Sequence, residues 1–152
     1  QMAEIAISTA RVVRLFGFDP KVAFVSHSTF GQPLTSRTKH IRSAVEILKE
    51  KKVDFEFDGD MQPDVALNPE YEELYPFAKI VGKANILIMP GQHSAAISYK
   101  LMKTIGDAKV IGPLLIGLGL PIEIAPLRSS TSEILNLASI AAYSADVIDY
   151  KK

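Results

Sequence analysis

Apolar side chains along this chain alternate between helical spacing and short continuous runs, and the order of these patterns predicts the fold. Near the N-terminus, Ile5, Val12 and Phe16 recur on one helical face, and Gly17 ends the pattern. Residues 21–26 (KVAFVS) follow as a short run of β-branched and aromatic side chains, which predicts a buried strand.

The middle of the chain predicts a helix, a strand and a series of short turns. Ser36 is positioned to cap a helix whose apolar side chains share one face, and residues 53–57 alternate as a half-exposed strand does. We expect a turn at residues 58–60 (DGD). Short helical turns are expected across residues 62–77, because prolines interrupt that segment.

The next elements repeat the order of strand and helix. Residues 85–89 (NILIM) predict a second strongly apolar strand. A helix over residues 94–105 is expected to bury Ile97, Leu101 and Ile105, which share one face.

The C-terminal part predicts two more strands and a last helix. The strands are expected at residues 110–116 and 122–125, and Ser130 with Glu133 has the spacing of a capping box that opens a helix to about residue 145. Strands that alternate with helices of these lengths indicate the α/β class. We expect a three-layer α/β/α arrangement with a mostly parallel sheet covered on both faces.

Composition narrows the possible partners. The 152 residues fit one domain, and 17 basic against 17 acidic residues lack the surplus of positive charge typical of nucleic-acid-binding proteins. No apolar run approaches the ~20 residues that span a bilayer, so no membrane partner is expected. The absence of cysteine is compatible with a cytoplasmic location. Because the chain enters a helical pattern directly after Gln1, we expect a piece of a longer protein.

Three loops between a predicted strand and a predicted helix are candidate ligand sites, because α/β folds bind ligands beyond the carboxyl ends of strands. The first loop combines hydroxyl groups, backbone N–H groups and cations that suit a phosphate. Alternatively, its Ser and Thr residues serve only as caps and turn residues, and its cations lie on a solvated helix face. The candidate residues of this loop are Ser26, His27, Ser28, Thr29, Gly31 and Arg37.

The other two loops add fewer candidates. The second contains Gln92 and His93, and the third contains Arg128, Ser129 and Ser130. The Arg128 guanidinium can hold a phosphate or carboxylate in a forked geometry, or it can lie in water while Ser130 caps the helix.

Glu133 allows two interpretations: it is a general base, or it is only the acidic partner in the capping box. No spacing of His, Asp and Glu indicates a metal site, and no glycine-rich turn between a strand and a helix indicates a dinucleotide site. We therefore expect neither a metal nor a nucleotide cofactor in these residues.

Six sequence blocks in order resemble the C-terminal half of the phosphate acetyltransferases. They include VSHSTFG, DGDMQPD and IGPLLIGL, and together they cover nearly the whole chain. The resemblance implies the isocitrate/isopropylmalate dehydrogenase-like fold of that family. The blocks are residues 25–31, 58–64, 82–90, 97–101, 111–118 and 133–136.

One variant of the family is most similar. The block around His27 and the Pro-Leu pair at residues 126–127 resemble the phosphotransacetylase-like domain at the C-terminus of bacterial NADP-dependent malic enzymes. Such a resemblance implies a catalytic malic enzyme domain N-terminal to this one. NADP and Mg²⁺ or Mn²⁺ would then belong to that other domain.

The resemblance also points to altered chemistry. In the acetyltransferases a Ser-Arg pair and a later Asp serve the transfer, and the matching positions here, aligned back from Asn136, are Pro126, Leu127 and Glu133. Arg128 lies one position out of register. Ala96 replaces an Asn that is usual in the family.

Three functions remain open from the sequence. The first is a regulatory domain that binds acetyl-CoA or a related small anionic metabolite and changes the activity of a malic enzyme domain in the same chain. The second is an active phosphate acetyltransferase with Glu133 as base and Arg128 as phosphate anchor. The third is a scaffold that builds a homo-oligomer through apolar segments such as residues 111–120.

Overall fold

The computed structural model describes residues 1–106 and 109–147, which fall into two compact units, Gln1–Ser98 and Tyr99–Lys152. The first unit contains a parallel sheet with its helices, and the second contains extended segments before a long helix. The elements are α1 (Met2–Leu15), β1 (Lys21–Val25), α2 (Ser36–Glu50), β2 (Glu56–Met61), α3 (Pro63–Leu67), a 3₁₀ helix (Pro69–Glu73), β3 (Ile86–Ile88), α4 (Gln92–Ile105) and α5 (Thr131–Val147).

The sheet has the order β2-β1-β3, and both strand pairs are parallel. Because β1 is the central strand, its side chains enter two separate cores. Val22 and Phe24 pack with α1 and α2 on one face, whereas Ala23 packs with Met61 and Ala66 on the other. This small all-parallel sheet, buried on both faces at its centre, confirms the predicted α/β class.

The fully buried positions of helix α1 are alanines, while Met2, Ile7 and Val13 pack partly buried against the same core. Ala3, Ala6 and Ala10 are buried, whereas Ile5 and Phe16 are 47% and 46% exposed. The predicted helix is confirmed, and the side of it that carries Ile5 and Phe16 is not the side that enters the core. Because alanine side chains are small, the helix packs close to its neighbours, and larger side chains at these positions would hold it further away.

Helix α2 confirms the predicted apolar face but corrects the predicted cap. The Thr35 side chain accepts a hydrogen bond from the Thr38 backbone N–H, and the Thr38 side chain accepts one from the Thr35 backbone N–H. Thr35, with its extended backbone, is the N-cap, and Ser36 is the first helical residue. A hydroxyl at the third helical position replaces the Glu or Gln of the usual capping box.

Strand β2 begins later and extends further than the alternation predicts. The predicted turn at residues 58–60 is wrong, because these residues lie inside β2. The register between β1 and β2 shifts between the last two pairs: Phe24 pairs with Gly59, and Val25 pairs with Met61. Asp60 is thus the extra residue of a β-bulge, and it is completely buried.

The short turns predicted over residues 62–77 are present as α3 and the 3₁₀ helix, each with a proline at its start. The predicted strands at 110–116 and 122–125 are wrong, since the structure assigns no strand within residues 109–147. Pro113 and Pro121 contribute no N–H group to a ladder in these segments. Helix α4 is confirmed, but Ile97, Leu101 and Ile105 are exposed.

Helix α5 begins at the predicted capping box. The Ser130 backbone N–H and hydroxyl donate to Glu133 Oε2 at 2.7 and 3.0 Å, and the Glu133 N–H donates to Ser130 Oγ at 3.2 Å. Lys103 Nζ lies 3.1 Å from Glu133 Oε1. The Ser130 N–H bond first, then Lys103, lower the pKa of Glu133 from 4.5 to about 2.

Among residues 1–106 and 109–147, no helix combines the length and the apolar character that a bilayer crossing requires.

Leu137 is the buried hydrophobic residue of α5, whereas Ile134, Leu135 and Tyr143 are exposed.

Gly59→Ala is expected to destabilise the first unit by about 2–4 kcal/mol, because its φ is +146° and a Cβ would lie 2.7 Å from both the Cβ and the carbonyl oxygen of Phe24. Gly82→Ala is the matched control. Its φ is +77° but no atom lies within 4 Å of the added Cβ, so only backbone strain of about 1 kcal/mol is expected. Urea unfolding measures the free energy of unfolding of both variants. An equal loss of stability in the two variants would contradict the close approach of Gly59 to Phe24.

The cap of α5 is expected to persist in mild acid. The depressed pKa of Glu133 means that its contribution is complete above pH 4.5 and is lost as the pH falls through about 2. Hydrogen exchange of the Ser130 amide measures this, and its protection should survive at pH 4. In Glu133→Gln, which keeps an acceptor but no charge, protection should not change with pH in that window. A midpoint near 4.5 in the unsubstituted chain would contradict this geometry.

Candidate functional site

A cavity of about 950 Å³ opens in the first unit, beyond the carboxyl ends of β1 and β3 and beside the first turns of α2 and α4. Neither first turn contains an acidic residue. Helix N-termini with this composition favour anions, because unpaired N–H groups and the helix dipole face the same space.

The polar wall of the cavity collects side chains from three segments of the chain. Ser26 and His27 come from the end of β1, Arg37 and His40 from α2, and His93 from α4. All three histidines of the sequence therefore line one cavity, next to an arginine. Such a lining offers a guanidinium group, three imidazole rings and hydroxyl groups to an anionic ligand.

Much of the remaining lining is apolar. Val25, Ile41 and Ala44 form it on the β1 and α2 side, and Met89 and Pro90 form it after β3. A pocket of several hundred cubic ångströms with an apolar lining and a few polar groups is typical of small-molecule sites. The arrangement fits a ligand that has both an anionic group and a longer uncharged part.

Four predicted ligand residues, Ser26, His27, Arg37 and His93, thus line this cavity. Gln92, the first residue of α4, is exposed and is not among the lining residues. That these side chains bind a ligand stays a prediction.

Ser28, Thr29 and Gly31 lie behind the cavity wall and hold the loop in place. The Ser28 hydroxyl donates to the buried Asp60 carboxylate, and the Gly31 N–H donates to Asp60 Oδ2 at 3.3 Å. Thr29 Oγ1 accepts from the Gln62 N–H at 3.2 Å. These residues shape the loop that carries Ser26 and His27.

The remaining predicted residues belong to the second unit. Arg128 and Ser130 are exposed, and Ser129 is half-buried. The Glu133 carboxylate accepts hydrogen bonds from Ser130 and forms an ion pair with Lys103, and these contacts lower its pKa to about 2. A general base works best with a pKa near the operating pH, so this environment weakens Glu133 in that role.

The sequence pattern did not indicate two of the residues that line this cavity or lie behind its lining. His40 lies on the exposed face of α2, where the pattern indicates only solvated polar residues. Asp60 falls in a DGD sequence that is typical of turns, and the bulge that buries it has no local signal. Among the described residues, no group of three or more His, Cys, Asp or Glu side chains is arranged to hold a metal ion.

A family model and individual sequence relatives both place this chain among the phosphate acetyl/butaryl transferases. The family model for phosphate acetyl/butaryl transferase matches residues 1–142. An NADP-dependent malic enzyme of Rhizobium meliloti is 46% identical over 95% of this chain, which spans 19% of that protein. A phosphate acetyltransferase of Bacillus subtilis is 34% identical over 95% of this chain, which spans 45% of that protein.

Solved structures agree with the sequence relatives. A phosphotransacetylase from Streptococcus pyogenes superposes with a TM-score of 0.89 at 36% identity, covering 95% of this chain and 44% of its own. The EutD phosphotransacetylase from Staphylococcus aureus gives 0.87 at 34% identity, with 95% and 45% covered. The fold, the ordered sequence blocks and these relatives converge: the chain belongs to the phosphate acetyl/butaryl transferase family, in the form that NADP-dependent malic enzymes also contain.

Proposed function

We propose that this domain binds acetyl-CoA as a regulatory ligand and has no acetyltransferase activity of its own. The observation that carries this proposal is the cavity of about 950 Å³ in the first unit, whose lining combines Arg37 and three histidines with apolar side chains. Acetyl-CoA has phosphates for the arginine and the imidazole rings and a long uncharged arm for the apolar side chains. A cavity of this size accommodates part of such a ligand.

The absence of transfer chemistry is proposed from the second unit. Pro126 has no hydroxyl and Leu127 no charge at the positions where the family resemblance expects Ser and Arg, and Leu127 is fully exposed. Loss of such an electrostatic clamp costs on the order of 100-fold in rate or more. Glu133, with a pKa of about 2, is a poor replacement for a base.

The parent protein is proposed to be an NADP-dependent malic enzyme in the cytoplasm, on the strength of relatives that carry that name. A malic enzyme domain of the same chain would convert malate to pyruvate, and NADP and Mg²⁺ or Mn²⁺ would bind there. Acetyl-CoA would act through different affinities for two states of the parent, as any allosteric ligand must.

Calorimetric titration of acetyl-CoA into the chain tests the binding function. Arg37→Ala is expected to weaken binding about tenfold or more, because a charged hydrogen bond to phosphate contributes roughly 1.5–3 kcal/mol. Arg11→Ala, which removes an arginine from the exposed side of α1 outside the cavity lining, is the matched control and should bind as the unsubstituted chain does.

An assay for acetyl phosphate in the same sample tests the second part of the proposal. No product above the uncatalysed background is expected with acetyl-CoA and phosphate. Product that disappears in Arg128→Ala would establish the acetyltransferase instead. Failure of the unsubstituted chain to bind acetyl-CoA would contradict the sensor.

A scaffold for a homo-oligomer is the second candidate, and a specific observation favours it. Large apolar side chains of the second unit are exposed, including Leu127 at 103%, Leu120 at 63% and Leu135 at 65%. Large apolar side chains exposed in this number favour a protein interface. Light scattering should give a mass above one chain, and Leu135→Glu should lower that mass if the face is an interface; a monomer in both cases would exclude the scaffold.

A further inference from the structure

A chain of hydrogen bonds runs from the buried Asp60 carboxylate to the cavity wall. Ser28 Oγ donates to Asp60 Oδ2, and Ser26 Oγ lies 3.1 Å from Ser28 Oγ. Ser26 Oγ in turn lies 3.5 Å from His27 Nδ1. Ser28 and Asp60 are completely buried, whereas Ser26 and His27 line the cavity, so the chain links an interior carboxylate to the ligand site.

The bulge in β2 places Asp60 in this position. Because Asp60 is the unpaired residue between Gly59 and Met61, its carboxylate leaves the strand ladder and contacts the loop after β1. Its carbonyl oxygen accepts from the Phe30 N–H at 2.6 Å, so backbone and side chain hold the same loop. Asp60 Oδ1 has no hydrogen-bond partner among the described residues.

The direction of each hydrogen bond in the chain follows from the number of protons available. Ser28 gives its one hydroxyl proton to Asp60 Oδ2, a carboxylate oxygen that also accepts from the Gly31 N–H. Ser28 Oγ can then only accept from Ser26. Ser26 has no second hydroxyl proton, and its lone pairs are what remains for the cavity.

We infer that Asp60 is a positioning residue that fixes the Ser26 hydroxyl as a hydrogen-bond acceptor in the cavity wall. The site then takes ligands that carry an N–H or O–H donor beside their anionic group. Arg37 and the imidazole rings hold the anion, and Ser26 selects the donor. This ligand class rests on the proposed function, since the amide groups of acetyl-CoA supply such donors.

The orientation of Ser26 can be tested without any ligand. With Ser26 as acceptor, the His27 Nδ1 atom carries the proton that faces it, and ¹⁵N NMR of the histidine rings reports which ring nitrogen is protonated. In Ser28→Ala the Ser26 proton is released to point at His27. The ratio of Nδ1–H to Nε2–H His27 is expected to fall about fivefold, which corresponds to one ordinary hydrogen bond.

Two further variants keep this test decisive. Asp60→Asn retains the shape and an acceptor but removes the charge that strengthens the Ser28 bond, so a smaller shift in the same direction is expected even if Ser28→Ala does not fold. Ser139→Ala removes a hydroxyl that bonds the Leu135 carbonyl on α5, and it should leave His27 unchanged.

Ligand titrations test the donor requirement. Ser28→Ala should weaken acetyl-CoA binding about fivefold, because Ser26 no longer presents only lone pairs to the amide N–H. Inorganic sulfate has acceptors alone, and its affinity should stay equal or rise. An unchanged His27 tautomer ratio, or equal losses for both probes, would overturn the inference. A tautomer shift in Ser28→Ala, together with no acetyl-CoA binding by the unsubstituted chain, would refute the proposed function and leave the orientation of Ser26 established.

Discussion

The close approach of Gly59 to Phe24 is the constraint on which the rest of the first unit depends. At this point the central strand meets β2 so closely that a Cβ would lie 2.7 Å from the Phe24 carbonyl oxygen. The register shifts immediately afterwards, and Asp60 turns out of the ladder. One backbone contact thus decides where a buried carboxylate lies and how the loop that follows β1 is held.

The site is built from ends of elements rather than from their interiors. Strand β1 delivers Ser26 and His27, and the first turn of α2 delivers Arg37, while the strand interiors supply only packing. This division separates stability from recognition. The core can stay rigid while residues at the strand ends differ between members of one family.

In the second unit, helix α5 depends more on polar contacts at its first turn than on buried apolar side chains. This helix has a well-formed cap, but it has a single buried hydrophobic residue among its described positions. Capping and the Lys103–Glu133 ion pair define where the helix begins, and they also keep Glu133 ionised. The same contacts that stabilise the helix therefore weaken this carboxylate as a base, which links the local fold to the proposed loss of transfer chemistry.

The sequence by itself determined the α/β class, the strand that begins at Lys21, the helix over residues 36–50 apart from its cap, and the capping box at Ser130, because these depend on local periodicity and on side chains within one turn. Ordered sequence blocks determined the family. Tertiary structure alone decided that the residues predicted as a turn at 58–60 continue β2 and bury Asp60. It also decided that His40 reaches the cavity and that the fully buried positions of α1 are alanines, since bulges and close approaches depend on distant neighbours.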